Sequence, residues 1–191
     1  MIPNPPSGLT FRRLTEPREL EQVHRLNYRT FVEEIPQHGE NAERLLRDPR
    51  LDRSVPFGAL SGDRLCGMMA ISAERPFSLD AKLPDLDGYL PPHESPCEIR
   101  LLAVEPDRRG GRIFAGLLGC LVAYCREVRH DLAVISGTER QARLYAHLGF
   151  VPFGPPIGTE RAPYRAMYLT WDRLAPSAFA LAERSGSERG A

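Results

Sequence analysis

The stretch that most constrains this chain covers residues 97–118, CEIRLLAVEPDRRGGRIFAGLL. It reads as a buried strand, a short arginine- and glycine-rich turn, and a helix. The strand is expected over 98–104 and ends on apolar Leu101, Leu102, Ala103 and Val104. Pro106 closes it, because proline has no N–H to give to a sheet ladder. Arg108, Arg109, Gly110, Gly111 and Arg112 form the turn. Ile113, Leu117, Leu118, Leu121, Val122, Cys125 and Val128 then recur at helical spacing. Such a turn aims free backbone N–H groups at the space beyond the strand, and the helix dipole and the arginines add positive charge there. That combination is an anion receptor, best suited to a pyrophosphate.

The remaining sequence narrows the setting. With 191 residues, 42% of them hydrophobic and 26% charged, the chain can bury one core of ordinary size. Its net charge is zero, so no global field favours nucleic acid or an acidic membrane. No apolar run reaches the ~18 residues of a membrane span. Residues 1–13 lack the apolar core of a secretory signal. Cys66, Cys97, Cys120 and Cys125 form no C-x-x-C pair, so buried free thiols in a reducing cytoplasm are expected. The five histidines show no ligand spacing, and no metal is expected.

In chain order, residues 1–8 read as a loose terminus and 9–14 as a first strand. A helix starts at Pro17 and carries an apolar stripe to about residue 34. A second short helix is expected over 41–47. A hairpin follows, with strands 55–60 and 65–72 about Ser61-Gly62-Asp63. Segment 73–96 is proline-rich and aperiodic, but too apolar for plain disorder; it is either a wall over a substrate site or a decorated connection. After the central unit, 132–136 suits a buried parallel strand, broken by Gly137-Thr138. Residues 139–148 form a short helix, with Gly149 as its left-handed stop. A strand begins at 151–153, a loop covers 154–158, a last strand covers 165–171, and 175–191 is a tail. The expected fold is α/β (α+β): one domain over 9–174, with a mixed, mostly antiparallel sheet and helices on both faces.

Two segments carry a resemblance. Val104-Glu-Pro106-Asp-Arg-Arg109-Gly110-Gly-Arg-Ile113, with Leu117-Leu118, is similar to the acyl-CoA turn of the GCN5-related N-acetyltransferases, the GNAT superfamily. Leu144-Tyr145-Ala-His-Leu148-Gly149-Phe150, with Ala142 before it, resembles that family's later helix and its L-Y-x-x-L-G-F ending. Gly67 in the hairpin also fits. The turn departs from Q/R-x-x-G-x-G/A, since Arg112 and Phe114 stand at the small positions and Arg109 takes the first place. Glu139 stands where an asparagine is common. A second likeness is to the homoserine-lactone and N-acyl amino acid synthases, GNAT relatives that use long acyl chains. It rests on Glu98-Ile-Arg100 and the long 73–96 segment.

The resemblance implies an enzyme that moves an acyl group from acetyl-CoA, or another acyl-CoA, to the amine of a small molecule or peptide by direct attack. Backbone at Leu102, Ala103 and Val104 would hold the thioester and pantetheine arm. Arg109, Gly110, Gly111, Arg112, Ile113 and Phe114 would hold the phosphates, and Glu139 and Ala142 would flank the pantetheine. Tyr145 is the candidate general acid for the departing thiolate, against a packed core tyrosine. Glu98 is the candidate base, against a structural partner of Arg100. Cys97 reads as a structural thiol. Two alternatives stay open: a long-chain N-acyl amino acid synthase fed by acyl-CoA or acyl carrier protein, and a non-catalytic acyl-CoA-binding module. A carrier protein would dock on Arg108, Arg109, Arg112, Arg126 and Arg129. Strands near the C-terminus pair in this superfamily, which makes a homodimer an expectation.

Overall fold

A computed structural model describes residues 8–109, 111–160, 162–174 and 176. The strand expected over 98–104 is β4, Pro96–Val104, at the centre of a seven-stranded sheet. Before it lie β1 (Leu9–Arg13), β2 (Val55–Ser61) and β3 (Arg64–Ser72). After it come β5 (Leu132–Thr138), β6 (Val151–Thr159) and β7 (Ala162–Thr170). Their spatial order is β1-β2-β3-β4-β5-β7-β6, and every pair is antiparallel except β4–β5. Helix α1 (Pro17–Tyr28) covers one face; α2 (Gly111–Val128) and α3 (Ala142–Leu148) cover the other. The expected α/β architecture is therefore the observed one.

Two irregularities in the middle of the sheet create the site. β4 and β5 pair only at Pro96–Leu132, Cys97–Ala133 and Glu98–Val134, and then diverge. Within β4, Leu101 has φ 57°, and the β3–β4 register shifts between Met68 and Ala70. This bulge breaks the two-residue alternation of side chains. Cys97, Ile99, Leu102 and Val104 face the α2 core, while Leu101 and Ala103 face the α1 core. Simple alternation would place Leu102 on the face of Glu98 and Arg100; the bulge moves it to the opposite one.

Helix α1 begins at Pro17 with a reciprocal capping box between Glu16 and Glu19. It continues into a π-helical turn, Arg29–Glu34, so the apolar stripe does reach residue 34. Residues 41–47 form no helix. The Asn41 side chain exchanges hydrogen bonds with Leu45 instead, and Arg44 sits at φ 51°. Segment 73–96 does the work of a missing helix. Its Phe77, Leu79, Leu83 and Leu86 are buried against Leu132, Val134, Phe153 and Ala166, on the half of the sheet that α1 leaves uncovered. Gly137 and Thr138 stay inside β5, paired with Arg165 and Tyr164. Residues 154–158, expected as a loop, belong to β6 with a register shift between Phe153 and Ile157. As an edge strand, β6 tolerates prolines that a central strand would reject. The tail expected from 175 falls outside the described residues, apart from Pro176.

Candidate active site

A cavity of about 820 Å³ opens where β4 and β5 part. Its walls come from both faces of the sheet. On the α2–α3 side they are apolar: Leu102, Phe114, Leu118, Ile135, Leu144 and Phe150. On the α1 side they are polar, with Asp48, Arg50, Ser78, Lys82, Glu98 and Arg100. An apolar body with a few convergent polar groups is the usual make-up of a ligand site.

Glu98 is 1% exposed, and its carboxylate is surrounded by donors. Oε1 accepts the Ser78 hydroxyl at 2.6 Å and the Leu79 N–H at 3.3 Å. Oε2 accepts the Ser78 N–H at 2.8 Å and lies 3.2 Å from Arg100 Nε. Arg100 in turn contacts Asp48 Oδ2 at 2.7 Å. Two carboxylates thus share one guanidinium, and Arg50 and Lys82 add two further positive charges to the same wall. Arg100 Nη1 and Arg50 Nε are buried on this wall with no hydrogen-bond partner.

Tyr145 lies on α3 and donates its hydroxyl to Gln141 Oε1 at 3.0 Å. Thr138 Oγ1 reaches the same amide oxygen at 3.4 Å, and all three residues line the cavity. The ring packs edge-on against Phe150, with centroids 5.9 Å apart. Burial pushes the phenol up to about 12, so it stays protonated at neutral pH. Gly137 makes room for it: a Cβ there would lie 2.8 Å from Tyr145 Cδ2 and Cε2.

The basic turn is more committed than its sequence suggests. Arg109 donates Nη1 to Glu34 Oε1 at 2.6 Å, a second bond through Nη2 to Oε2, and Nε to the Val104 carbonyl at 3.1 Å. Arg109 and Glu34 both line the cavity. Gly111 opens α2 with nothing within 4 Å of where its Cβ would be, and Arg112 beside it is exposed. Ile113 points into the core under Gly67, where a Cβ would come within 2.7 Å of its Cγ2. Phe114, at a position where the family motif has a small residue, forms part of the apolar wall. Gly110 lies outside the described residues.

The cavity therefore gathers Glu98, Leu102, Ala103, Val104, Arg109, Gly111, Phe114 and Tyr145. It does not gather Arg112, Ile113, Glu139 or Ala142. Glu139 is exposed and pairs with Arg165 at 3.2 Å, and Ala142 packs against the core. Cys97 is buried in contact with Cys125, and that contact together with burial raises its thiol well above the ordinary value. It is no nucleophile. Sequence reading missed Asp48, Arg50, Ser78 and Gln141. The first three sit in aperiodic segments, where no spacing announces a wall. Gln141 was within reach, four residues before Tyr145 on one helical turn.

The strand bulge, the parted strands and the tyrosine-bearing helix beyond them frame the site, and a family-model match to the chain gives its class: it is an acyltransferase of the GNAT superfamily. Within it, the chain belongs to the FeeM N-acyl amino acid synthase family, whose family model matches residues 22–172. Solved structures share the fold at low identity. The CoA-dependent acyl-homoserine lactone synthase BjaI, with MTA, superposes with a TM-score of 0.75 at 22% identity, over 94% of this chain and 90% of that one. FeeM itself, an N-acyl amino acid synthase from uncultured soil microbes, gives 0.71 at 20% identity, over 90% and 97%. An acyl-CoA N-acyltransferase from Pseudomonas aeruginosa gives 0.57 at 16%, over 84% and 97%. No curated protein sequence matches the chain. Among the described residues, no helix is long and apolar enough to cross a membrane, and no cluster of three His, Cys, Asp or Glu could hold a metal ion.

Proposed function

We propose that this enzyme transfers a medium or long acyl group from acyl-CoA to the amine of an amino acid. The observation that carries the donor reading is the apolar wall on the α2–α3 side of the parted strands. An acetyl group needs no such chamber, so a longer chain is favoured over the acetyl donor expected first from the sequence. The acceptor reading rests on family membership and on the polar wall, where Asp48 suits an ammonium and the unpartnered Arg100 and Arg50 nitrogens suit a carboxylate.

In the reaction the acceptor nitrogen attacks the thioester carbonyl carbon. The ammonium first loses its excess proton; a C–N bond then forms, the C–S bond breaks, and a second N–H proton is lost as the sulfur departs as the thiol. Backbone from Leu102 to Val104, past the last β4–β5 pair, offers hydrogen bonds to the thioester and pantetheine arm. Glu98 takes the amine proton. Tyr145, a weak acid at about 12, donates a hydrogen bond to the departing sulfur and gives up its proton only late. For that, its hydroxyl must turn from Gln141. Gly111 and the α2 N-terminus receive the phosphates, and Arg109 joins them by leaving Glu34.

The test is thiol release across acyl-CoA chain lengths and the corresponding acyl carrier proteins, with a panel of amino acids. kcat/KM should rise with chain length from acetyl, by on the order of 10-fold for each pair of methylenes that the apolar wall accommodates. A maximum at acetyl would overturn the long-chain reading. CoA binding with no thiol release from any pair would favour a binding module.

A further inference from the structure

Glu98 poses a difficulty as a base, and the structure carries its solution. The carboxylate is 1% exposed, with its oxygens already occupied, so an acceptor amine in the cavity has no direct path to it. One of its four partners differs in kind from the others. The Ser78 and Leu79 N–H groups and Arg100 Nε are fixed donors, whereas the Ser78 hydroxyl can pass a proton and accept another. Ser78 is only partly buried, lines the cavity, and holds its Oγ 2.6 Å from Glu98 Oε1. Its own N–H, bonded to Oε2, fixes the residue in register with the carboxylate.

We propose that Ser78 is a catalytic residue, relaying the acceptor's proton to Glu98. This rests on the acyl-transfer reading and adds the step that makes a buried base usable. The acceptor N–H donates to Ser78 Oγ while the Ser78 O–H donates to Glu98 Oε1. As the ammonium docks, its excess proton passes to Oγ and the hydroxyl proton passes to Oε1, which leaves an amine whose lone pair attacks the thioester. Ser78 ends neutral and Glu98 ends protonated; the second N–H proton balances the one Tyr145 gives to the departing sulfur, so the sulfur leaves as the thiol and the nitrogen ends as a neutral amide. Segment 73–96, which replaces a helix on this half of the sheet, therefore also delivers a reacting group.

A structural Ser78 would merely cap the carboxylate, so the test uses readouts that a cap would not move. Ser78→Ala, Ser78→Thr, Glu98→Gln and the double variant are compared with wild type for kcat from pH 6 to 9, using the best donor–acceptor pair. A relay contributes on the order of 10²-fold, and Ser78→Ala should lose about that at pH 7. The deficit should shrink as pH rises and the acceptor arrives already deprotonated. Ser78→Thr should recover most of the rate. Glu98→Gln with Ser78→Ala should be no slower than Glu98→Gln alone, because both act on one proton path. The other charged or titratable groups that line the cavity are Glu34, His38, Arg47, Asp48, Arg50, Lys82, Arg100, Arg109, Tyr145 and Tyr164, and all of them are common to the variants and the wild type. A loss independent of pH, or multiplicative losses in the double variant, overturns the relay and leaves acyl transfer standing. No wild-type thiol release with any pair overturns both.

Discussion

At the scale of single residues, the L-Y-x-x-L-G-F signature was legible because it is local: helix, stop and ring all lie within one short stretch of chain. Its consequences depend on Gly137, on strand β5, which the sequence presented as a breaker and the fold uses as a seat for the Tyr145 ring. Gly137→Ala should displace that ring and lower kcat by on the order of 10-fold, with donor binding retained. Tyr145→Phe should lower thiol release further at an unchanged donor Kd, and full turnover in that variant would dismiss its acid role. Because burial holds the phenol at about 12, it is protonated below pH 10 and should add no alkaline limb to the rate profile there. Glu98 was legible as a carboxylate on the central strand. Its pairing with Arg100 was legible too, two residues on along the strand, but Ser78 and Leu79 were not, because they come from a segment whose course is set by tertiary packing.

Among the elements, hydrophobic period and turn chemistry located all seven strands, since most are bounded by glycine, proline or a tight turn and β5 is a continuous apolar run. They could not show that β4 carries Leu101 in a left-handed conformation. Leucine is an ordinary strand residue, and only register with β3 forces the bulge. A β-branched side chain tolerates that conformation worse still. Leu101→Val should cost about 1 kcal/mol beyond the lost packing and lower Tm by roughly 2–4 °C. Because the bulge aims Leu102 into the cavity, acyl-chain selectivity should shift with it, as a chain-length panel on the variant would show. The helix expected over 41–47 failed for a comparable reason: Asn41 bonds locally, and Asp48 ties the segment to β4 through Arg100.

Taken whole, the described residues form three apolar clusters rather than two, because segment 73–96 brings its own. Charge helps fix α1 to β1. Glu19 is almost fully buried and bonds to Arg12 and to the Thr15 and Glu16 N–H groups, which hold its carboxyl below the usual carboxylate range against the opposing effect of burial. A depressed folded value means that this stabilisation is complete above the unfolded value near 4.5 and is lost as pH falls through the folded one. Glu19→Gln should cost about 1–2 kcal/mol at pH 7 and less below pH 4, as denaturant midpoints at the two pH values would measure. The parting of β4 from β5 has a wider consequence. Sheets usually keep an unpaired strand edge at the periphery, where charge or a bulge guards it. Here an unfinished edge lies at the centre of the protein. In the proposed reaction the donor meets backbone along that edge and the apolar wall beside it, and the acceptor meets a polar wall to which two aperiodic segments contribute Asp48, Arg50 and Ser78. The two specificities are written in different parts of the chain, so substitutions at 46–50 and 73–96 can change which amine is acylated while the thioester is held as before.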